Sequence, residues 1–289
     1  MRSKLVFVLI ILAAGLSVNS CKSPEISLET QSLNLKSVNN ARDLGGYRIG
    51  RKEIVKDQLI RSARLSELSP ADSTTLADVY HLAYIFDFRS VTEAETLPDV
   101  VPGKAEHIAL PFSFGDSGSA SSVAGIRSVE GLVQAMLKYA QVPGMTKMVD
   151  TMYDNIFFSE AMQQNYHKFL EKLCEIPEGS CALWHCSQGK DRAGVASALV
   201  LAALGADRDL IVKDFTLSKD FYDPFIANVG EVNETQAYIL NSFISANPEL
   251  FEKSLDKIDA QYGSLDAYLE KCIGVTPEMK QILREKYLR

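Results

Sequence analysis

The chain has 289 residues, of which 46% are hydrophobic, and its formal net charge at pH 7 is −7. An acidic chain without a basic run is a poor partner for nucleic acid or for anionic lipid, so both are excluded as electrostatic ligands. No internal repeat or long linker is present, and roughly 250 residues are enough for one α/β domain with a large core.

The first 20 residues have the pattern of an export signal. Arg2 and Lys4 precede an apolar run over residues 5–16, which is too short to span a bilayer as a helix. Small Ser20 before Cys21 is typical of a bacterial lipoprotein cleavage site, so we expect Cys21 to become the lipidated N-terminus. A plain secretory signal or an uncleaved anchor is the alternative. Loss of the signal removes two basic and no acidic residues, which changes the net charge to −9.

The segment after the signal is polar. We therefore predict a tether over residues 21–37 and a folded domain over residues 38–289. The expected location is outside the cytoplasm, with the lipid anchor in a bacterial membrane, on its periplasmic side or at the cell surface. Because the domain is acidic, membrane attachment would depend on the acyl chains of Cys21.

Short apolar runs alternate with longer amphipathic stretches along the domain. This alternation predicts an α/β fold with a parallel sheet that helices cover on both faces. The predicted strands are Leu59–Ile60, Leu82–Phe86, Glu106–Leu110 and Cys181–Trp184. The predicted helices are Gly131–Gln141, Met145–Glu175, Ala193–Leu204, Asp207–Leu217, Glu231–Ala246, Pro248–Tyr262, Ser264–Cys272 and one that starts at Thr276-Pro277.

The decapeptide His185–Gly194 carries the most specific chemical signal. It places Cys186 and Arg192 at the two ends of a five-residue loop, between a buried strand and a buried helix that ends at Gly205. Backbone N–H groups and the helix dipole converge on such a loop and favour a phosphate-like dianion. The same field favours a thiolate, and a guanidinium can hold two oxygens of the anion. The loop is therefore predicted to be a phosphate-binding cup that contains a nucleophile.

A nucleotide-binding P-loop is excluded at this position. The Gly-Lys pair at 189–190 precedes a helix, as in that motif, but Trp184 stands where the first glycine is required. Asp191 also replaces the required Ser or Thr. No cofactor is predicted, because the remaining histidines lack the spacing of metal ligands: His81, His107 and His167.

His185–Gly194 is similar to the HCxxGKDRTG signature of atypical bacterial tyrosine and lipid phosphatases, a branch of the cysteine-dependent phosphatases. Further segments resemble the same family: Asn40–Tyr47, Leu59–Leu65, Phe86–Ser90 with Glu93, Tyr262–Ser264, Tyr268–Leu269 and Gly274–Thr276. The resemblance covers residues 38–289. It implies a cysteine-phosphatase-like fold with a helical lid insertion and C-terminal helices, and hydrolysis of phosphomonoesters. Phosphotyrosine is the first substrate it implies, with phosphoserine, phosphothreonine or a phosphoinositide as alternatives.

The resemblance also implies roles for the loop residues. Cys186 attacks phosphorus, and Arg192 binds the phosphoryl oxygens together with the loop backbone at Ser187, Gln188 and Gly189. Lys190 is expected to add positive charge at the edge of the cup for highly charged substrates.

Asp191, beside the arginine, is the first candidate for the general acid. Asp87, at the end of a strand, is the second candidate, and Asp116 is the third. The alternative for Asp87 is an ion pair with an arginine such as Arg42 or Arg89. Arg89 and Glu93, four residues apart, are expected to form a local pair of their own.

The chain departs from the family at Ala193, where a Thr or Ser is usual. That hydroxyl would hydrogen-bond the cysteine sulfur as a leaving group, so its loss predicts slow release of the phosphocysteine.

Residues 112–125 are rich in Ser and Gly. They are either part of the lid, with the helices that follow, or a surface loop without a role. Cys174 and Cys181 flank a turn and could approach each other, although buried free thiols are favoured.

Two other functions stay open. One is a lipoprotein that binds phosphorylated ligands without turnover, and the other is a sulfurtransferase.

Overall fold

The structure, a computed structural model, describes residues 26–112 and 123–289. A five-stranded sheet lies at the centre of this part of the chain. The seven strands in this part of the chain are β1 (Arg42–Asp43), β2 (Arg48–Ile49), β3 (Lys52–Glu53), β4 (Leu59–Ser62), β5 (Leu82–Asp87), β6 (Glu106–Ala109) and β7 (Cys181–His185). The order in the large sheet is β1-β4-β7-β5-β6, with β4, β7, β5 and β6 parallel and β1 antiparallel at one edge. Strands β2 and β3 pair with each other.

Helices flank this sheet and account for most of the remaining chain. In the described ranges they are α1 (Leu28–Gln31), α2 (Pro70–Thr74, continued by a π-helical turn at Thr75–Val79), α3 (Val91–Thr96), α4 (Val129–Tyr139), α5 (Met145–Asp150), α6 (Met152–Phe158), α7 (Glu160–Glu175), α8 (Asp191–Leu204), α9 (Arg208–Ala227), α10 (Glu234–Phe243), α11 (Pro248–Tyr262), α12 (Leu265–Tyr268, continued by a π-helical turn at Leu269–Ile273) and α13 (Pro277–Tyr287). None of these helices is both long and apolar enough to cross a bilayer. The predicted α/β fold is confirmed.

The predicted elements differ from the structure mainly where local capping outweighs periodicity. The predicted helix Met145–Glu175 is three helices, because the chain breaks at Thr151 and again at Ser159, whose hydroxyl accepts from Met162 N–H. Helices α2 and α3 were not predicted. Each is short and starts at a serine cap, so neither shows the apolar repeat of a longer helix.

The folded domain begins before residue 38, so the tether prediction is wrong for its second half. Helix α1 lies against the domain, and the side chain of buried Gln31 donates to the carbonyls of Asp43 (2.7 Å) and Gly45 (3.0 Å). The hydroxyl of Ser37 donates to the carboxylate of Asp72, at a distance of 2.5 Å. These polar side chains form hydrogen bonds with groups of the domain. From composition alone, the same polar segment looks like a solvated linker. The lipoprotein predictions at residues 1–21 and most of the Ser/Gly-rich segment lie outside the described residues.

Strand β7 and helix α8 form the centre of the molecule. Every residue of β7 is buried, and so is every residue of α8 after Asp191. The indole N–H of Trp184 joins the two elements, since it lies 3.0 Å from the Ser197 hydroxyl and 3.2 Å from the Ala193 carbonyl. The loop between them, residues 186–190, therefore has a rigid strand on one side and a rigid helix on the other.

A buried charge cluster lies under this loop. The carboxylate of Asp214, in α9, accepts from Arg61 (2.5 Å), Arg42 (3.4 Å) and the Tyr47 hydroxyl (2.8 Å). Both guanidinium groups are fully buried. Burial acts to raise the pKa of Asp214, but the two guanidinium charges outweigh it and lower the pKa below its usual range. The cluster ties β1 and β4 to α9 across the base of the loop.

Replacing Asp214 with asparagine is expected to lower the free energy of unfolding by about 3–5 kcal/mol, because it leaves two buried arginines without their anion. Urea denaturation measures this. The matched control is Glu53→Gln, which removes one partner of a half-exposed pair with Arg48 and should cost about 1 kcal/mol or less. Equal losses in the two variants would contradict the assigned role of Asp214.

Candidate active site

Residues 186–190 form a tight loop at the carboxyl end of the central strand, and Arg192 follows in the first turn of α8. Cys186 follows β7 directly and is buried, with a residue exposure of 2%. Helix α8 begins at Asp191, so its N-terminus faces the same space. This is the edge of a parallel sheet at which ligands bind in α/β folds. The predicted strand–loop–helix arrangement is confirmed.

Three successive carbonyl groups of the loop, at residues 188–190, point away from this space into the protein. Arg61 holds two of them, since its guanidinium donates to the carbonyls of Gly189 (2.9 Å) and Lys190 (3.1 Å). The carbonyl of Gln188 accepts from Tyr222 (2.6 Å) and Asn40 (3.2 Å). No peptide bond in the described chain is cis. In a planar trans peptide the N–H points opposite to the C=O, so the N–H groups of residues 189–191 are directed toward the concave side.

Gly189 is required by two features of the backbone. Its φ is +65°, in the left-handed region, and a Cβ at this position would lie 2.2 Å from the carbonyl carbon and oxygen of Ser62. A side chain would therefore push the loop off β4. The close approach is what allows Arg61, on the same strand, to reach the loop carbonyls.

Arg192 is held by a carboxylate from α3. Its guanidinium makes a two-pronged pair with Glu93, with contacts of 2.6 and 2.9 Å. Glu93 also accepts from the Ser187 hydroxyl. Burial acts to raise the pKa of Glu93, but the adjacent Arg192 charge outweighs it, and the pKa lies well below its usual range. The pair fixes the plane of the guanidinium at the rim of the cup.

The expected local pair between Arg89 and Glu93 is wrong. Glu93 is committed to Arg192, and Arg89 instead donates to Asp87 (2.7 Å) and Asp99 (2.7 Å). Spacing along a helix predicts such pairs only when the first residue is also helical, and Arg89 precedes α3.

Asp191 reaches the cavity above the loop, where its carboxylate is one of the lining groups. One of its oxygens, Oδ1, accepts from the hydroxyl of Tyr153 (2.5 Å) and from the ammonium of Lys190 (2.7 Å). The structure thus places the first candidate general acid beside the cup.

Lys190 differs from its prediction. Its side chain is fully buried, and the ammonium donates to Asp191 and to the carbonyl of Ser242 (3.0 Å). It is not among the groups that line the cavity. The predicted contribution of Lys190 to substrate charge at the rim is therefore wrong, because its ammonium points inward to satisfy two acceptors.

Asp87 forms an ion pair with Arg89, which was the predicted alternative to a role as general acid. It is 2% exposed, and both of its oxygens accept from the Arg89 guanidinium at 2.7–3.0 Å. It does not line the cavity above the loop. Asp116, the third candidate, lies outside the described residues.

The Arg89 pair belongs to a larger charged group behind the loop. Buried His185 lies 3.0 Å from Asp99, and His107 lies 3.2 Å from the same oxygen. Burial acts to lower the pKa of His185, but the charges of Asp87 and Asp99 outweigh it and raise the pKa. The four acids and histidines are close enough to share an ion, but the guanidinium of Arg89 already bonds both carboxylates. We interpret the group as structural support for the strand that leads into Cys186.

The cavity above the loop is lined by polar groups on one hand and by an apolar wall on the other. The polar groups include Arg192, Asp191 and Glu93. The wall includes Phe112, Ile126, Leu132, Met136, Met148 and Met152. Helices α4, α5 and α6 each contribute a methionine, so the helices after the undescribed segment cover the loop, where the lid insertion was expected.

The thiols of the described residues are all free: Cys174, Cys181, Cys186 and Cys272. Burial raises the pKa of Cys174 to about 11 and that of Cys181 above its usual range. The favoured interpretation, free thiols rather than a bridge between these two, is confirmed.

Comparison with known proteins shows the family of this chain. A sequence model described as the tyrosine phosphatase family matches residues 33–289. The chain belongs to the tyrosine phosphatase family. It is 25% identical over 244 residues to a putative tyrosine-protein phosphatase of Cupriavidus necator, with 83% of each chain covered. It is 28% identical over 236 residues to the triple specificity protein phosphatase PtpB of Mycobacterium tuberculosis, with 73% of this chain and 84% of the relative covered.

The chain is accordingly a hydrolase of the protein-tyrosine-phosphatase type, and its family segments have identifiable tasks. Asn40 and Arg61, in two of the segments that carry the resemblance, hold the loop carbonyls. The sequence reasoning did not assign these tasks, nor those of Tyr153, Tyr222 and Asp214. Asn40 and Arg61 lie in recognisable motifs. Tyr153, Tyr222 and Asp214 come from helices whose sequence carries no comparable signal.

The Thr or Ser that the resemblance implies is replaced by Ala193, which is fully buried in the first turn of α8. Ala193→Thr is expected to raise the turnover rate about tenfold, because a hydroxyl that bonds the leaving sulfur stabilises that step by about 1.4 kcal/mol. Steady-state hydrolysis of an aryl phosphate measures the rate. Ala193→Val is the matched control, since it adds the same volume without the hydroxyl. A valine variant as fast as the threonine variant would contradict the explanation.

Proposed function

We propose that this phosphatase hydrolyses phosphomonoesters by way of a phosphocysteine, with Cys186 as nucleophile. The observation that carries the proposal is the loop geometry. Buried Cys186 begins a loop whose carbonyls are bonded from behind, so that its N–H groups face the concave side, and Glu93 holds the guanidinium of Arg192 at the end of the same loop. Preorganised donors of this kind stabilise the charge that develops on the phosphoryl oxygens during transfer.

In the first step the Cys186 thiolate attacks phosphorus. A sulfur–phosphorus bond forms as the phosphorus–oxygen bond to the leaving group breaks. Asp191 donates its proton to the departing oxygen, so that an alcohol or phenol leaves. Arg192 and the loop N–H groups hold the three other oxygens throughout.

In the second step water attacks the phosphocysteine. Asp191, now a carboxylate, takes a proton from the water as the new oxygen–phosphorus bond forms. The sulfur–phosphorus bond breaks and the thiolate is restored. Inorganic phosphate is the product, and the enzyme returns to its starting state with Asp191 protonated.

The substrate that these surroundings favour is phosphotyrosine. A phenyl ring fits a cavity with an apolar wall and polar groups that hold the phosphate. Phosphoinositides carry further phosphates that need further cations, and Lys190 is committed to Asp191 and Ser242. The relative named a triple specificity phosphatase supports a substrate panel that also includes phosphoserine, phosphothreonine and phosphoinositides.

Cys186→Ser is expected to abolish hydrolysis of p-nitrophenyl phosphate in the presence of EDTA, because the serine hydroxyl is not ionised at neutral pH. Acid quenching of the wild type during turnover should trap one phosphoryl group on the peptide that contains Cys186, detected by mass spectrometry. Cys272→Ser is the control and should retain full activity.

Three outcomes would overturn the proposal. An active Cys186→Ser variant would exclude the nucleophile. Retention of phosphotyrosine peptide without any release of phosphate would support a binding protein. Transfer of sulfur from thiosulfate to cyanide, with no phosphatase activity, would support a sulfurtransferase.

We further propose that the enzyme is an exported lipoprotein anchored through Cys21. The support is the pattern of Arg2 and Lys4, an apolar run, and Ser20 before the cysteine. Several acyl chains on one residue anchor a protein stably, since each buried CH₂ contributes about 0.8 kcal/mol.

Cys21→Ala is therefore expected to abolish incorporation of labelled palmitate and to move the enzyme out of the membrane fraction of bacteria that express the full chain. Fractionation with an activity assay measures this. Cys272→Ser, which alters a cysteine of the folded domain, should leave labelling unchanged. Membrane-bound, unlabelled Cys21→Ala protein would instead indicate an uncleaved anchor.

A further inference from the structure

The two oxygens of the Asp191 carboxylate have different surroundings. Oδ1 accepts from the Tyr153 hydroxyl at 2.5 Å and from the Lys190 ammonium at 2.7 Å. Among the residues that the structure describes, none hydrogen-bonds Oδ2, although the side chain lines the cavity above Cys186. The two donors therefore converge on one oxygen and leave the other toward the substrate space.

We propose that Tyr153 and Lys190 are positioning residues that make Oδ2 of Asp191 the atom that carries the transferred proton. This inference rests on the proposed function, in which Asp191 is the general acid. An oxygen that accepts two hydrogen bonds has no free lone pair facing the leaving group, so the proton resides on Oδ2. When the proton leaves, the new carboxylate keeps both donors, and its negative charge is stabilised most at that moment.

The packing around Tyr153 prevents its hydroxyl from moving to another acceptor. The residue is 1% exposed in α6, and its ring makes edge contacts with Phe215 and Phe251, at centroid distances of 5.6 and 5.8 Å. Those two rings stack on each other at 4.2 Å. Burial, and then the charge of Asp191, raise the pKa of Tyr153 well above its usual value. The hydroxyl therefore remains a donor at neutral pH.

Lys190 is fixed from a second direction. It is fully buried, and its ammonium also donates to the carbonyl of Ser242, in α10, at 3.0 Å. The orientation of Asp191 thus depends on α6 through Tyr153 and on α10 through Lys190. Neither helix belongs to the sheet or to the loop. The direction in which Asp191 delivers its proton is therefore set by helices packed around the loop.

The test compares aryl phosphates whose leaving phenols differ in acidity. Asp191→Asn should lower kcat for phenyl phosphate by about 10²-fold or more and leave p-nitrophenyl phosphate much less affected, because a good leaving group needs no proton. Tyr153→Phe should show the same selectivity with a smaller loss, about tenfold for phenyl phosphate. Lys190→Met removes the other donor and should also slow phenyl phosphate selectively. Tyr287→Phe is the matched control, since it removes a buried hydroxyl that donates to Leu173, and it should not change the selectivity.

The double variant Tyr153→Phe/Asp191→Asn decides whether the tyrosine acts through the aspartate. It should be no slower than Asp191→Asn alone. If Tyr153→Phe slows both substrates equally, or slows the Asp191→Asn enzyme further, the positioning role is overturned while the proposed function stands. If Asp191→Asn itself leaves the leaving-group dependence unchanged, Asp191 is not the proton donor and the inference falls with that part of the mechanism. The Cys186 trapping experiment is independent of both results.

Discussion

The contact between Arg61 and the carbonyls of Gly189 and Lys190 is the constraint on which the site depends. A phosphate cup requires that successive N–H groups face one point, and the peptide plane allows this only if the carbonyls find partners behind the loop. Arg61 can serve them because Asp214 holds its other side and offsets its charge. Burial and the nearby charge of Arg42 lower the pKa of Arg61 to about 10, so it keeps its proton at neutral pH. A buried ion pair is thus used here for geometry, at a cost in desolvation.

Two carboxylates at the cup have opposite surroundings. Glu93 accepts hydrogen bonds from Arg192 and from the Ser187 hydroxyl, so it stays ionised and fixes the orientation of the guanidinium. Within the described part of the chain, Asp191 accepts hydrogen bonds on Oδ1 only, and its side chain lines the cavity. The chemical type of the residues is the same, but the number and placement of donors differ, so Glu93 is bound on both oxygens while the bonds to Asp191 converge on one.

Much of the fold was accessible from the sequence because its elements are local and strongly patterned. Strands β4 and β7 are short runs that are buried throughout, β5 is largely buried, and β6 is an edge strand that is mostly exposed; each was predicted within two residues of its ends. Helices α2 and α3 were missed, because a cap of one serine defines them more than any repeat does. The early start of the domain was missed for a similar reason. Gln31 is buried by hydrogen bonds to backbone carbonyls, which composition does not reveal.

The strand–loop–helix arrangement at Cys186 could be predicted from the sequence, because the strand, the Cys-to-Arg spacing and the helix start all lie in consecutive residues 181–204. Which partner each charged group takes follows only from the tertiary structure. Glu93 meets Arg192 across 99 residues of chain, and Tyr153 meets Asp191 across 38. Lys190 points inward because one of its acceptors is the carbonyl of Ser242 on α10, which lies 52 residues further along the chain. Such pairings follow from how helices pack over the sheet, and no spacing along the chain encodes that packing.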